Sequence, residues 1–441
     1  MFSIWIIIKS LKMALSRKLG LFATTMYGVG LILGAGIYVL IGEASGLAGE
    51  GIWISFMLAA IVSVFTGLSY AELSSLYPKA AAEYVYVKNV FRNNFLAFMV
   101  GWLVLFTAIV ATTAIAFGFG GYLSGFVDVP IILSAIILMI VLAIVNFIGI
   151  RESSGMNIIF TLVEAAGLVF IIYLGFVYSG EHSVEYFSTP FGFEGILAAF
   201  VLVLFAYVGF ENIANISEET KNPRRTIPRA IILSIIITSV IYILVALAAI
   251  NALPIEELAN SSSPIADIAG KILGSDGYII LSLIALFATT NTVLIMAVAG
   301  SRILYGITDG GSFPSFFSKI HNRTKTPWVA IVTCTVISII FAFSGDIATI
   351  ASVTVFTIVI VFVAVNFSVI WLRLKEKEPH EGFRTPFSIR KVPVLPVLGV
   401  ITSIIGISLI DVTAALLGLL VTVIGMTYYF VYGKNLSKNI S

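Results

Sequence analysis

The sequence predicts an all-α integral membrane protein with twelve transmembrane helices. Three observations predict it: 59% of the 441 residues are hydrophobic, only 11% are charged, and the mean hydropathy is +1.08. A soluble domain has no means of hiding that much apolar surface. Charge-poor stretches long enough to span fall at 20–44, 51–77, 93–126, 130–150, 155–179, 192–217, 227–252, 276–307, 327–345, 347–372, 392–410 and 412–432. The criterion is that about 20 apolar residues cross the hydrocarbon. The 37 glycines and 13 prolines suit packed spanning helices, where small residues allow close approach and breaks are tolerated.

The polar connections fix the orientation. With the N-terminus in the cytoplasm, every lysine and arginine except Lys271 falls on the inner face, as the positive-inside rule requires. The outer loops carry acids instead, among them Glu43, Glu185 and Asp346. Residues 1–19 are read as an uncleaved cytoplasmic segment lying on the membrane. The apolar run 2–8 is too short for a signal-peptide core with a cleavage site. Met13 offers an alternative translation start. The tail, 433–441, is also cytoplasmic, giving a multi-pass protein of the cell membrane in contact with lipid.

Several function classes are excluded. The basic residues are spread over the cytoplasmic connections, so the net charge of +2 signals topology and no nucleic-acid partner. The lone Cys334 allows no intrachain disulfide, and the loop at 125–130 has no cysteine to link a heavy chain. No metal set and no nucleophile–base constellation is evident, so neither a cofactor nor an enzyme is expected.

Residues 200–229, FVLVLFAYVGFENIANISEETKNPRRTIPR, are the most informative stretch. An apolar run holds Gly209 and the carboxylate of Glu211 within a span. A glycine beside a charge in a spanning helix is costly unless the helix breaks there and lines a polar cavity. The first span carries Gly28, Gly30, Gly34 and Gly36. Spacing of Gly30 and Gly34 alone also fits close helix packing. The other reading is that residues 34–36 unwind, freeing three amide N–H groups that, with the positive end of the next half-helix, hold a carboxylate. Five spans separate the two candidate breaks, so helix one starts inside and helix six outside. Two such breaks facing each other at mid-depth point to a transporter site.

The run FAYVGFENIANISEETKNPRRTIPRAI resembles the sixth-helix signature of the amino acid–polyamine–organocation (APC) superfamily of permeases. GVGLILGAGIYVLIG resembles that family's first-helix glycine motif. Further matches lie at SYAELSSLYPKAAAEYVYV (69–87) and from Ser301 to Pro314, followed by Thr326-Pro327. The stretch 149–161 looks most like the cationic-amino-acid-transporter, or basic amino acid permease, branch. The resemblance implies the leucine-transporter fold: inverted repeats at 20–179 and 192–373, broken helices one and six, and appended spans at 392–432. It implies secondary carriage of amino acids by alternating access, as symporter or antiporter. It also implies a binding site at both breaks. Gly34, Ala35 and Gly36 would take the substrate carboxylate, and Phe205 would cover the substrate. Gly209 would break helix six. Carbonyls near Leu31, Ile32, Phe205, Ala206 and Val208 would take the ammonium group.

Buried charge suggests how transport is coupled. Glu164 lies inside the fifth span, where a carboxylate costs about 2.5–3.5 kcal/mol on insertion scales. It is expected to carry the proton. The alternative joins it with Thr290 and Asn291 in a sodium site, whose hard oxygens suit Na⁺. A purely structural hydrogen bond is a third reading. Glu211 either accepts N–H bonds freed at the break or approaches a cationic side chain. Glu218 and Glu219 are expected to gate the inner face by ion pairs with Lys221, Arg224, Arg225 or Arg302. Glu72 and Glu83 read as solvated or salt-bridged, and Asn146, Asn157 and Asn366 as interhelical hydrogen bonders. The alternative functions are polyamine or organic-cation transport, sodium-coupled transport, and a channel. Against the channel, no ring of like charges is evident.

Overall fold

Helices begin and end where local chemistry dictates. The computed structural model describes residues 18–34, 36–79, 81–148, 154–178, 183–309, 313–376 and 378–433. Most of the N-terminal segment, Ala35, the Asn157 side chain and nearly all of the C-terminal tail therefore lie outside the described residues. The first apolar run is two helices, α1 (Leu21–Leu33) and α2 (Gly36–Ala48). After a turn at Gly49–Gly51, α3 (Ile52–Leu76) runs until Tyr77 leaves helical geometry, as the residue before a proline tends to do. A short helix, α4 (Ala82–Phe91), follows between two left-handed residues, Ala81 and Arg92. Asn93 then caps α5 (Asn94–Ser124), its side chain accepting from the Phe95 and Leu96 N–H groups at 2.9 and 3.1 Å.

Next come α6 (Ile131–Ile148), α7 (Ser154–Val177), α8 (Gly192–Tyr207), the single turn α9 (Asn212–Asn215) and α10 (Pro223–Ala252). Pro223 sits at the start of α10, where its missing N–H costs nothing. Two short helices, α11 (Ile255–Ala259) and α12 (Pro264–Leu273), precede the long α13 (Ser275–Asp309). The chain continues through α14 (Trp328–Phe341) and α15 (Ile347–Lys375) to a small hairpin, β1 (Ser388–Ile389) with β2 (Val392–Pro393). It ends in α16 (Val394–Ser408) and α17 (Val412–Tyr428).

Each apolar run expected to span is helical. Among the described residues, nine stretches are long and apolar enough to cross a membrane, the first taking α1 to α3 together as Leu21–Leu76. The runs at 327–345 and 392–410 are shorter than expected, because α14 and α16 have 14 and 15 residues. At 1.5 Å per residue these cover about 21–23 Å, less than the hydrocarbon core of about 30 Å. α4, α11 and α12 are helices where the sequence reading has only connections.

α5 is the centre of the packing: 89% of its most apolar window is buried, against 33% for α6 and 28% for α17. It packs against α13 and α15, while α10 packs against α1, α3 and α7. One buried polar hub joins the ends of α3 and α15. Arg373 donates from Nε and Nη2 to the two Glu72 oxygens at 2.7 and 2.6 Å, and the Thr385 N–H donates to the same carboxylate at 2.7 Å. His380 lies 3.1 Å from it. Asn366 makes the interhelical bonds expected of it, accepting from Ser69 and donating to Thr66. Glu72 is thus salt-bridged as expected. Glu83 is neither solvated nor, among the described residues, ion-paired: it is buried and accepts the Tyr70 hydroxyl at 3.2 Å.

Candidate functional site at the two helix breaks

Both candidate breaks interrupt a helix, and they touch. A Cβ on Gly36 would run into the backbone and side chain of Ala206. A Cβ on Gly209 would lie 3.0 Å from the Leu31 carbonyl oxygen. The residue after the first break therefore meets the residue before the second, and the reverse. Such pairing requires the two helices to run in opposite directions. The far ends agree: the Lys18 and Leu19 N–H groups donate to the Glu219 carbonyl, and the Lys221 N–H donates to Leu19. The entry to α1 and the exit from α9 are thus tied at one end of the molecule.

The second break is built by Gly209 and Glu211. Val208 leaves α8 in an extended conformation, and Gly209 takes φ +135°, which favours glycine. The Glu211 carboxylate accepts the Gly209 N–H at 2.8 Å and the side-chain NH2 of Asn212 at 3.0 Å. Of the two expected roles, the geometry places Glu211 on a backbone N–H freed at the break, that of Gly209. At the first break, the Gly34 N–H donates to Gly30 at 3.1 Å and closes the last turn of α1. It is not a free donor, contrary to the expectation of three free amides. Gly34 supplies room instead, since a Cβ there would meet the Thr292 side chain of α13. Gly36 opens α2, the positive end of a 13-residue helix.

Between the breaks lies a void of about 10 Å³ lined by Leu31, Ile32, Gly36, Phe205, Ala206 and Val208, with Ala111, Ile115, Thr292 and Met296 opposite. That is room for about one water. The structure brings together every described residue expected to bind substrate except Gly34 and Gly209, which flank the void without lining it. A second cavity, about 520 Å³, shares Met296 with the void and contains Glu83, Asn212, Glu218, Glu219 and Arg302. This one is in the range of small-molecule pockets. Glu218, Glu219 and Arg302 line it together, yet among the described residues none of them forms an ion pair.

Glu164 is fully buried on α7, and among the described residues neither carboxylate oxygen closes a hydrogen bond. Asn291 of α13 is the polar side chain that faces it. The Tyr38 hydroxyl, two residues past Gly36, donates to the Glu164 backbone carbonyl at 3.0 Å, which puts Glu164 beside the first break. Thr290 donates to Leu286 of its own helix at 2.7 Å. Two residues escaped the sequence reading. Thr292 packs on Gly34, and Tyr242 of α10 donates its hydroxyl to Ile32 and lies 3.0 Å from the Ala206 carbonyl. Tyr242 sits in a plain apolar run, so only the fold reveals it.

Residues 19–440 match the amino acid permease family model. The chain belongs to that family. It is 28% identical to the branched-chain amino acid permease BcaP of Bacillus subtilis, across 96% of this chain and 95% of the relative. It is 30% identical to a methylthioribose transporter of the same organism, across 87% and 86%. Mouse cationic amino acid transporter 4 is 31% identical across 84% of this chain but 62% of its own length. The chain is accordingly a multi-pass membrane transporter of the APC superfamily, with cationic amino acid transporters among its relatives, and not an enzyme.

Proposed function

We propose that this permease is a secondary carrier moving amino acids across the cell membrane by alternating access. The observation that carries the reading is the contact between two antiparallel helices at the point where each loses its winding. A zwitterion needs an anion site beside a cation site, and this junction offers both. The N-terminus of α2 favours a carboxylate, and the carbonyls ending α1 and α8 favour an ammonium group. In this reading the chain crosses the bilayer twelve times with both termini in the cytoplasm. Spans within 20–179 and 192–373 form the inverted repeats, and 392–432 adds the last two. The short α14 and α16 then cross where the connecting residues complete the span.

The large cavity is the inward-facing vestibule, and Met296 divides it from the closed substrate void. Glu218 and Glu219, which with Arg302 line it and form no ion pair among the described residues, are the groups that close this vestibule when they find cationic partners. Such pairs are individually weak when wet, so they bias a conformational balance. Glu164 is the proton carrier, supported by a fully buried carboxyl next to the first break that forms no ion pair among the described residues. The sodium alternative places the ion among Glu164, Thr290 and Asn291.

The test is a thermal-shift screen of the twenty amino acids with purified protein at two pH values, with and without sodium. Putrescine and methylthioribose are included. Stabilisation by one or a few amino acids, dependent on pH and independent of sodium, is expected. Stabilisation by putrescine or methylthioribose and by no amino acid overturns the reading.

A further inference from the structure

The two breaks orphan two particular carbonyls. In an unbroken helix the Ile32 carbonyl would accept from the Gly36 N–H and the Ala206 carbonyl from the Phe210 N–H, four residues on. Among the described residues, neither carbonyl accepts a backbone N–H across its break. Ile32 and Ala206 are almost completely buried, so the orphaned oxygens have no access to bulk water. Tyr242 supplies one hydroxyl to both. A hydroxyl has a single proton, whereas two carbonyls present four lone pairs, so Tyr242 alone does not saturate them. Tyr242 is not among the residues lining the void, whose far wall is Ala111, Ile115, Thr292 and Met296. Its hydroxyl thus reaches the two carbonyls from the α10 side, leaving the void side free.

The ring is fixed. Tyr242 is fully buried, with Phe56 edge-on at 5.7 Å and Tyr207 edge-on at 5.3 Å. Resting on the amino acid reading above, we propose that Tyr242 is a positioning residue for the substrate's α-ammonium group. It draws the Ile32 and Ala206 carbonyls, one from each broken helix, toward a common point. The three N–H donors of an ammonium then meet acceptors already converged, with bonds strengthened by the full charge. The same clamp makes amine recognition depend on both breaks at once.

The experiment compares each amino acid that binds with its des-amino carboxylic acid, for example leucine with 4-methylpentanoate and arginine with 5-guanidinopentanoate. Affinities are read by competition on the purified full chain. Wild type is expected to prefer the amino acid, and Tyr242→Phe to lose about tenfold of that preference while the des-amino acid changes by less than about twofold. Tyr207→Phe removes a hydroxyl from the same cluster, one that bonds Phe56 and neither break, and should leave the preference intact. Equal weakening of both ligands, an unchanged ratio, or the same loss in Tyr207→Phe overturns the proposal. If Tyr242→Phe does not purify as one species, Phe56→Leu loosens the ring with its hydroxyl present, and an unchanged ratio there is equally fatal. Should wild type bind none of the twenty amino acids, the carrier reading itself fails and takes this inference with it.

Discussion

Replacing Gly209 with alanine attacks the second break at its one obligatory glycine. Two costs add. A side chain at φ +135° is strained, on the order of 1–3 kcal/mol. The new Cβ also lies 3.0 Å from the Leu31 carbonyl oxygen, a tight contact against backbone that has little freedom to yield. Overpacking of that kind costs about 1–3 kcal/mol, so the total is about 2–6 kcal/mol, or about 30- to 20,000-fold in the population of the broken conformation. Uptake into proteoliposomes and thermal unfolding in detergent should both fall. Gly306→Ala is the matched control, because a Cβ there meets nothing within 4 Å and the residue lies within α13. It should be neutral or slightly stabilising, since alanine favours helix by about 1 kcal/mol. Gly209→Ala with wild-type uptake and melting would refute the argument that this glycine holds a strained junction against α1.

Other outcomes follow from the same geometry. Glu164→Gln should abolish the pH dependence and gradient coupling of uptake while leaving counterflow exchange; full retention of both removes the proton assignment. Arg373→Met strands the buried Glu72 carboxylate and should destabilise the protein by about 3–5 kcal/mol, whereas pairing it with Glu72→Met should recover most of the loss in a thermal double-mutant cycle. Asp411 caps α17, and hydrogen bonds from the Thr413 and Ala414 N–H groups hold its carboxyl below the usual range. Its contribution should therefore be complete above the unfolded value of about 3.9 and disappear as pH falls through the lowered one. Asp411→Ala should cost about 1 kcal/mol at neutral pH and little in strong acid, read by unfolding at each pH. Glu218→Gln with Glu219→Gln should raise the labelling rate of a cysteine placed at Ala299 in the vestibule; an unchanged rate removes these acids from the gate.

The breaks were legible because glycine inside an apolar span has few other uses, and because Glu211 beside Gly209 marks freed amides. Their contact was not legible, since it joins residues such as Gly36 and Ala206 that are far apart in sequence and carry no chemical label. Tyr242 shows the limit most clearly. In the run Ile241-Tyr242-Ile243 it looks like any aromatic in a spanning helix, and its role exists only through two carbonyls on other helices. Arg373 reads as a topology signal at the end of a span, but its guanidinium is buried on Glu72, 301 residues away. The short α4 escaped because a ten-residue helix interrupted by Glu83, Lys88 and Asn89 has no apolar run long enough to announce it. The burial of Glu83, read from sequence as solvated or salt-bridged, escaped with it.

The most direct test is counterflow in proteoliposomes, comparing wild type with Gly36→Val for the amino acid that stabilises the protein most. The valine side chain has to enter the space held by Ala206, forcing the two half-helices apart where substrate is clasped. A labelled overshoot in wild type and none in Gly36→Val is the predicted result; an undiminished overshoot in the variant contradicts the account.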